Sequence, residues 1–261
     1  MLPNKLIIAA AIRSNGNYLP AIFNNINLIS SLFSDVRCIF VESDSSDNSL
    51  ELLNKFKGNN EKIEIISLGH LQSTMRLRTQ RIATARNVYL ERTESLKGVY
   101  DTLLVLDTDG VNAEQIDTES ILSNFRYSDW DMICANQGLL YYDLWALRHP
   151  DWMPFDCFER IERILNPPSF ISPQVANEIS LNSRFIHIDQ NHPLIKVESA
   201  FGGSAFIRID SIKGARHCGI HNNKQICEWV PFCKALNQGN ANIFINPRFI
   251  NQKNKNEHIK P

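Results

Sequence analysis

An open, mostly parallel, Rossmann-like α/β sheet flanked by helices is the fold class this sequence predicts, and three observations predict it. Short apolar runs recur at residues 5–12, 36–41, 63–68, 103–106 and 130–136, each the length of a buried strand. Helical segments separate them, so the order reads β-α-β-α-β-α-β-α-β. The run at 103–106 stops abruptly at Asp107 and Asp109, with Gly110 as a breaker. That is the place, just past a strand's carboxyl end, where open α/β sheets bind ligands.

Taken in order, residues 5–12 form a buried first strand, too short for the roughly 20 residues of a membrane span. Lys5 is the only charge before the run and Arg13 interrupts it, so it does not resemble a signal peptide either. A polar loop at 13–17 follows. Leu19, Ile22, Phe23, Ile26, Ile29, Leu32 and Phe33 then recur at helical spacing, with Pro20 suited to a first turn. The strand at 36–41 runs into Glu42-Ser43-Asp44-Ser45-Ser46-Asp47-Asn48-Ser49, dense in residues that cap helices and hydrogen-bond sugars. A helix begins over 50–56 and Gly58 ends it; a third strand covers 63–68.

Arg76, Arg78, Arg81 and Arg86 lie within eleven residues that hold no carboxylate and lead into a helix over 81–91. Arginine forks suit phosphate oxygens, although a solvated helix face explains such a run as well. A helix is expected over 113–125 after the Asp-x-Asp strand. The aromatic segment 141–149 and a proline-bearing excursion over 150–192 come next, the usual place for specificity determinants. Residues 197–207 read as two short strands broken at Gly202-Gly203, where a backbone can approach a ligand closely. A helix over 227–236 and a strand over 242–246 close the domain. Residues 1–250 thus read as one domain with halves at 1–136 and 137–250, and 251–261 as a polar tail.

The 261 residues are 43% hydrophobic and 21% charged, with a formal net charge of -1. This is an ordinary globular composition that argues against a broad nucleic-acid surface. The six cysteines are dispersed, so reduced thiols are the default and no disulfide framework is expected. With no membrane span in view, the expectation is a cytoplasmic protein that meets membranes only peripherally.

Asp107 and Asp109 are hard oxygen ligands that leave room for water and phosphate oxygens, which suits Mg²⁺ or Mn²⁺ on a diphosphate. Two strand-end aspartates making turn hydrogen bonds are the plainer alternative. The order of parts is that of a nucleotide-sugar site. Arg13, Glu42 and Asp44 stand at the ends of the first two strands for the nucleoside, the arginines for phosphate, and the aspartates for the metal. The first half is then the donor-binding half and the second the acceptor side.

Here the sequence resembles the GT-A-fold glycosyltransferases and is similar, more narrowly, to the cryptococcal-capsule α-1,3-mannosyltransferase-like family. The stretches that carry this are 42–49, Arg81-Ile82-Ala83-Thr84-Ala85-Arg86-Asn87, Leu104-Val105-Leu106-Asp107-Thr108-Asp109, and Tyr142-Asp143-Leu144-Trp145-Ala146-Leu147-Arg148. Phe201-Gly202-Gly203-Ser204-Ala205-Phe206, Cys227-Glu228 with Phe232-Cys233-Lys234, and Asn246-Pro247 complete the ordered set. The resemblance implies transfer of a sugar, mannose in the narrower family, from a GDP- or UDP-linked donor to a hydroxyl of a glycan or glycolipid acceptor. Such a reaction belongs to surface polysaccharide or glycoconjugate synthesis. It places Arg81, Arg86, Asn87 and Thr108 on the donor, and Arg148, Gly202 and Gly203 on the acceptor.

A metal at Asp107 and Asp109 would neutralise the leaving diphosphate, and Arg81 or Arg86 would add charge stabilisation. An inverting enzyme needs a carboxylate base; Glu228 is the first candidate and Asp143 the second. In a retaining enzyme, which the narrower family implies, Glu228 would hold the acceptor or stabilise the oxocarbenium-like centre. Glu228 also suits a helix's first turn on dipole grounds alone. Trp145 and Trp229 suit sugar faces or the core.

His217, Cys218, His221 and Cys227 form a rival metal constellation, a structural zinc site, though their spacing matches no common zinc pattern. His217, His221 and His258 are alternative candidates to complete the Asp-x-Asp metal shell. Two rival functions remain beside the transferase. One is a sugar-nucleotide pyrophosphorylase, against which Ser14-Asn15-Gly16-Asn17 is a poor phosphate loop. The other is a non-catalytic nucleotide- or glycan-binding protein of the same fold.

Overall fold

The structure is a computed structural model that describes residues 5–166 and 170–253. Pro167, Pro168 and His258 lie outside the described residues. The first half runs β1 (Lys5–Ile12), α1 (Leu19–Ser30), β2 (Asp35–Glu42), α2 (Ser49–Lys57), β3 (Ile63–Ser67), α3 (Arg78–Ser95), β4 (Thr102–Leu106), α4 (Thr118–Ser123) and β5 (Met132–Gln137). The second half runs α5 (Cys157–Leu165), α6 (Pro173–Ser180), β6 (Ile195–Lys196), β7 (Ser204–Arg208), α7 (Ile209–Ile212), β8 (Ile220–His221), β9 (Lys224–Gln225), α8 (Trp229–Gln238) and β10 (Ile243–Gln252).

One eight-stranded sheet has the order β3-β2-β1-β4-β7-β5-β10-β6, and β8 pairs with β9 in a separate hairpin. β1, β2, β3 and β4 run parallel, as do β5 and β10. β7 lies antiparallel between β4 and β5, and β6 is antiparallel to β10. The expected mostly parallel sheet is therefore present, with one difference in order. β5 does not neighbour β4, because the stretch after Gly202-Gly203 inserts between them. Ser204, Ala205, Phe206 and Ile207 are fully buried on both faces, so β7 has no alternation that would betray its direction.

The sheet separates two apolar layers. On one side Ile8, Leu104 and Phe206 pack with Ile22, Phe23 and Ile26 of α1. On the other Ile7, Val105 and Ala205 pack with Tyr89 of α3 and Trp229 and Phe232 of α8. Burial of these side chains is the main stabilising term. Among the described residues no helix is long and apolar enough to cross a membrane.

Several boundaries differ from the sequence reading. α3 starts at Arg78, a turn earlier than expected. The helix expected over 113–125 shrinks to α4 between 3-10 turns at Gly110–Asn112 and Asn124–Arg126. The Asp117 side chain starts α4 late by accepting from the Glu119 N–H at 3.0 Å, as a cap does. The excursion over 150–192 holds a helical pair, capped by Asp156 on α5 and Ser172 on α6. Of the two strands expected over 197–207 only β7 joins the sheet, while Ser199 makes a lone bridge to Arg148. β10 runs to Gln252, so Asn251 and Gln252, read as the start of a polar tail, are buried.

Gly202 adopts φ +68, and a Cβ there would meet the Ala135 carbonyl oxygen at 2.4 Å. The turn that reverses the chain into β7 thus needs glycine twice over. We expect Gly202→Ala to destabilise the fold by about 2–4 kcal/mol in urea titrations, since neither the strained φ nor the backbone oxygen can give way cheaply.

Candidate functional site

β4 is fully buried, and the chain leaves the sheet at Asp107. Its N–H donates to the Gly203 carbonyl at 2.9 Å. Asn112 clamps this strand end. Its Nδ2 donates to the carbonyls of Asp107 (2.9 Å) and Gly203 (2.8 Å), and its Oδ1 accepts from Ser204 Oγ at 2.6 Å. Asp109 Oδ1 accepts from the Val111 N–H at 3.2 Å, which turns the chain. The carboxylates of Asp107 and Asp109 both line a cleft of about 570 Å³.

One face of α3 forms a wall of that cleft. Arg78, Arg81, Ile82, Ala85 and Arg86 line it, the i, i+3, i+4, i+7, i+8 set of a single helix face. Arg86 is almost wholly enclosed. Its Nη2 donates to Asp107 Oδ1 (3.0 Å), its Nε to Glu228 Oε1 (3.0 Å) and its Nη1 to Tyr89 Oη (3.1 Å). The ring centroids of Phe201 and Trp229 lie 4.9 and 4.8 Å from its Cζ, within cation–π range. Burial alone would push the guanidinium pKa down, but Tyr89, Asp107 and Glu228 hold it well above its ordinary value. Arg86, expected on the donor phosphate, is instead the bridge between a metal-side aspartate and Glu228.

The β1 and β2 loops form the opposite wall and are stitched together. Ser14 N donates to Ser45 Oγ (3.0 Å), Asn15 N to Ser49 Oγ (2.9 Å) and Gly16 N to Asp47 Oδ2 (2.9 Å). Much of the Ser/Asp run read as sugar-binding is therefore used in joining these loops. Glu42 accepts from Ser45 N (3.0 Å) and Ser67 Oγ (2.7 Å) and does not line the cleft. Arg13 and Asp44 do line it, joined through Gln72: Arg13 Nη2 donates to Gln72 Oε1 (2.8 Å) and Gln72 N to Asp44 Oδ1 (2.9 Å). Arg81 Nη1 donates to the carbonyls of Met75 (2.8 Å) and Arg76 (2.9 Å), and its Nε lies 3.5 Å from Asp44 Oδ2. Thr108 also lines the cleft, and its Oγ1 is buried without a hydrogen-bond partner among the described residues.

The acceptor-side residues divide. Asp143, Trp145, Glu228 and Trp229 line the cleft. Arg148 does not: it donates to Asp156 Oδ2 at 2.7 Å and to the carbonyls of Trp145 and Leu147, bracing the chain before α5. Asn87 is likewise structural, exchanging two hydrogen bonds with the His217 backbone at 3.0 and 2.8 Å. Gly202 and Gly203 shape the β7 turn from beneath, and Gly202 N donates to Asp143 Oδ2 at 2.9 Å. Burial, with help from Asp107 and Glu228, pushes the Asp143 carboxyl up to about 6. Trp229 stacks on Phe201 at 4.1 Å, so it is both core and cleft wall.

Sequence reasoning did not single out Tyr142, Phe158, Leu181 and Phe185, which also line the cleft. Burial, then Asp143, Asp107 and Asp109, pushes the Tyr142 hydroxyl well above its ordinary range, so Tyr142 stays a neutral donor. Its place beside Asp143 was the available signal. Asn112 was missed as well, because an asparagine between the Asp-x-Asp strand and the expected helix gives no sign of a tertiary clamp.

The histidine constellation does not assemble. His217 is buried against Trp229 and Phe232 (4.6 and 4.4 Å between centroids), with Nδ1 3.1 Å from the Glu228 carbonyl. Burial, with Arg86 adding to it, pushes its imidazole well below the ordinary range. His221 sits on the β8–β9 hairpin. All six cysteines are free, and among the described residues no group of three or more His, Cys, Asp or Glu side chains is arranged to hold a metal. Asp107 and Asp109 supply two hard carboxylate donors in one cleft, the donor type that Mg²⁺ or Mn²⁺ prefers.

No family model matches the chain, and no curated protein matches it. Solved structures do. The chain is similar to the mannosyltransferase PcManGT of Pyrobaculum calidifontis, solved in complex with GDP-Man and Mn²⁺, at 8% identity and TM-score 0.51, covering 96% of this chain and 56% of that one. It is similar to S. aureus TarS at 12% identity and TM-score 0.52, covering 92% of this chain and 57% of that one. The chain thus spans little more than half the length of these proteins. It has the GT-A, Rossmann-like fold that the sequence resemblance implied.

The Asp143 shift carries a pH signature. Its carboxyl titrates near 6 when folded, against an ordinary value of 3.8, so the protonated form stabilises the fold. That contribution is complete below about pH 4 and is lost as pH rises through 6. Compared with wild type, Asp143→Asn is expected to gain about 1–2 kcal/mol of relative stability between pH 4 and pH 8, a figure discounted for partial exposure. Urea midpoints of the two proteins across that range test it.

Proposed function

We propose that this protein is a metal-dependent glycosyltransferase that moves a sugar from a nucleotide-diphosphate donor to a hydroxyl of a glycan or glycolipid acceptor. The observation that carries the reading is the pairing of Asp107 and Asp109 at the end of β4 with an arginine-lined wall in one cleft, within a GT-A fold. Mannose as the sugar, membership of the cryptococcal-capsule mannosyltransferase-like family and a place in surface polysaccharide synthesis rest on the sequence motifs.

The cleft is lined by residues of two kinds. Arg13, Asn15, Ser43, Asp44, Arg78 and Arg81 are polar and suit a nucleoside diphosphate. Trp145, Phe158, Leu181 and Phe185 are apolar and suit the face of an acceptor sugar or the start of a lipid. α5 and α6 also turn Phe158, Val175 and Ile179 to solvent, an edge that favours peripheral membrane contact and a glycolipid acceptor.

Asp107 and Asp109 would hold Mn²⁺ or Mg²⁺, which when bound neutralises the departing diphosphate. Asp143, raised towards neutral pH, suits a general base for the acceptor hydroxyl better than Glu228 does. Glu228, paired with Arg86, suits a fixed negative charge beside the developing positive charge of the sugar ring.

Calorimetric titration of GDP and UDP with and without Mn²⁺ tests the donor site. One nucleotide is expected to bind about tenfold or more tightly with Mn²⁺ present, and Asp109→Ala to abolish that gain. Failure of well-folded wild-type protein to bind either nucleotide would remove the donor site. Binding without any Mn²⁺-dependent hydrolysis of a nucleotide sugar would favour the non-catalytic reading. Asp143→Asn and Glu228→Gln are each expected to lower kcat by about 10²-fold or more while leaving nucleotide affinity within about threefold.

A further inference from the structure

Arg86 is placed where a phosphate ligand was expected, yet each of its three guanidinium nitrogens already donates a hydrogen bond within the protein. Asp107, Glu228 and Tyr89 take Nη2, Nε and Nη1 at 3.0, 3.0 and 3.1 Å, and Phe201 and Trp229 hold the guanidinium plane. Its side chain is 5% exposed, whereas that of Asp107 is 31% exposed. The cation is therefore fixed in the wall, and the carboxylate it holds opens to the cleft. A divalent metal on Asp107 must share that carboxylate with an immovable positive charge in a site of reduced dielectric.

The rest of the lining sharpens the constraint. Four guanidinium groups (Arg13, Arg78, Arg81, Arg86) and five carboxyl groups (Asp44, Asp107, Asp109, Asp143, Glu228) line the cleft. The charges nearly cancel, so a bare dication finds little net attraction. A nucleotide diphosphate brings the missing negative charge together with two or more oxygen ligands.

We propose that Arg86 makes metal loading depend on the nucleotide. By holding Asp107 it keeps the affinity of the empty cleft for a dication low, and the diphosphate offsets it. Arg86 is on this account a positioning residue, acting through Asp107 rather than touching the donor. The proposal rests on the assignment of Asp107 and Asp109 to the metal. It requires positive coupling in both directions: nucleotide tightens Mn²⁺, and Mn²⁺ tightens nucleotide by the same factor.

The test is a Mn²⁺ titration of the full chain, read from the resonance of free aqueous Mn²⁺, with and without GDP or UDP. Wild type is expected to bind Mn²⁺ about tenfold or more tightly when its nucleotide is present. The double variant R86Q/E228Q removes the buried cation together with its partner, so net charge is unchanged and no buried charge is stranded. It is expected to bind Mn²⁺ alone about tenfold more tightly than wild type, with the coupling correspondingly reduced. Arg86→Lys, which keeps the charge, is expected to keep the coupling. A folded double variant that binds Mn²⁺ no better than wild type, or a lysine variant that loses the coupling, overturns the role given to Arg86. Wild type that binds neither Mn²⁺ nor nucleotide in any combination overturns the donor-site reading as well.

Discussion

The buried bridge from Asp107 through Arg86 to Glu228 is the constraint on which the site depends. It joins three elements distant in sequence: the end of β4, the middle of α3 and the start of α8. Each salt bridge measures 3.0 Å, and aromatic rings exclude water from the guanidinium. Removing one partner from such a bridge strands a buried charge, at a cost of about 3–5 kcal/mol. The same bridge holds the carboxylates of Asp107 and Glu228 on one guanidinium, so their relative position is fixed by a single side chain. Structure and chemistry are thus constrained by the same guanidinium.

Around the bridge, buried amides rather than charges hold the turns. Asn112 ties the carbonyls of Asp107 and Gly203 together, and Asn25 ties down the following loop through the carbonyls of Asn112 (2.8 Å) and Glu114 (2.7 Å). Gln137 and Asn251 both donate to the Gly202 carbonyl, at 2.9 and 2.8 Å. These contacts satisfy backbone groups that the irregular strand ends would otherwise leave unpaired. Asp107 and Asp109 line the cleft from the end of the strand so held.

Much of the parallel half was legible because buried strands of a parallel sheet are continuous apolar runs, as β1 and β4 are, and because shorter apolar stretches mark β2, β3 and β5. The insertion of β7 was not, since strand order depends on tertiary pairing that a two-sided buried strand does not encode locally. Asp107, Asp109 and Glu228 were legible as carboxylates at element ends and Asp143 as the acid in the aromatic segment 141–149, and the structure brings all four to one cleft. Glu42, Asn87 and Arg148 were misplaced for a common reason. Each has the right chemistry for a ligand, but its partners are the Ser45 N–H, the His217 backbone and Asp156, which only the fold brings near. The fold narrows the chemistry without naming the sugar or the acceptor.

The most direct measurement is anomalous diffraction at the manganese edge from crystals grown with Mn²⁺ and the nucleotide that binds. The account predicts one peak within bonding distance of the carboxylates of Asp107 or Asp109, with the diphosphate completing its shell and Arg86 still on Glu228. A peak elsewhere, or a nucleotide seated outside the cleft walled by α3, would contradict it.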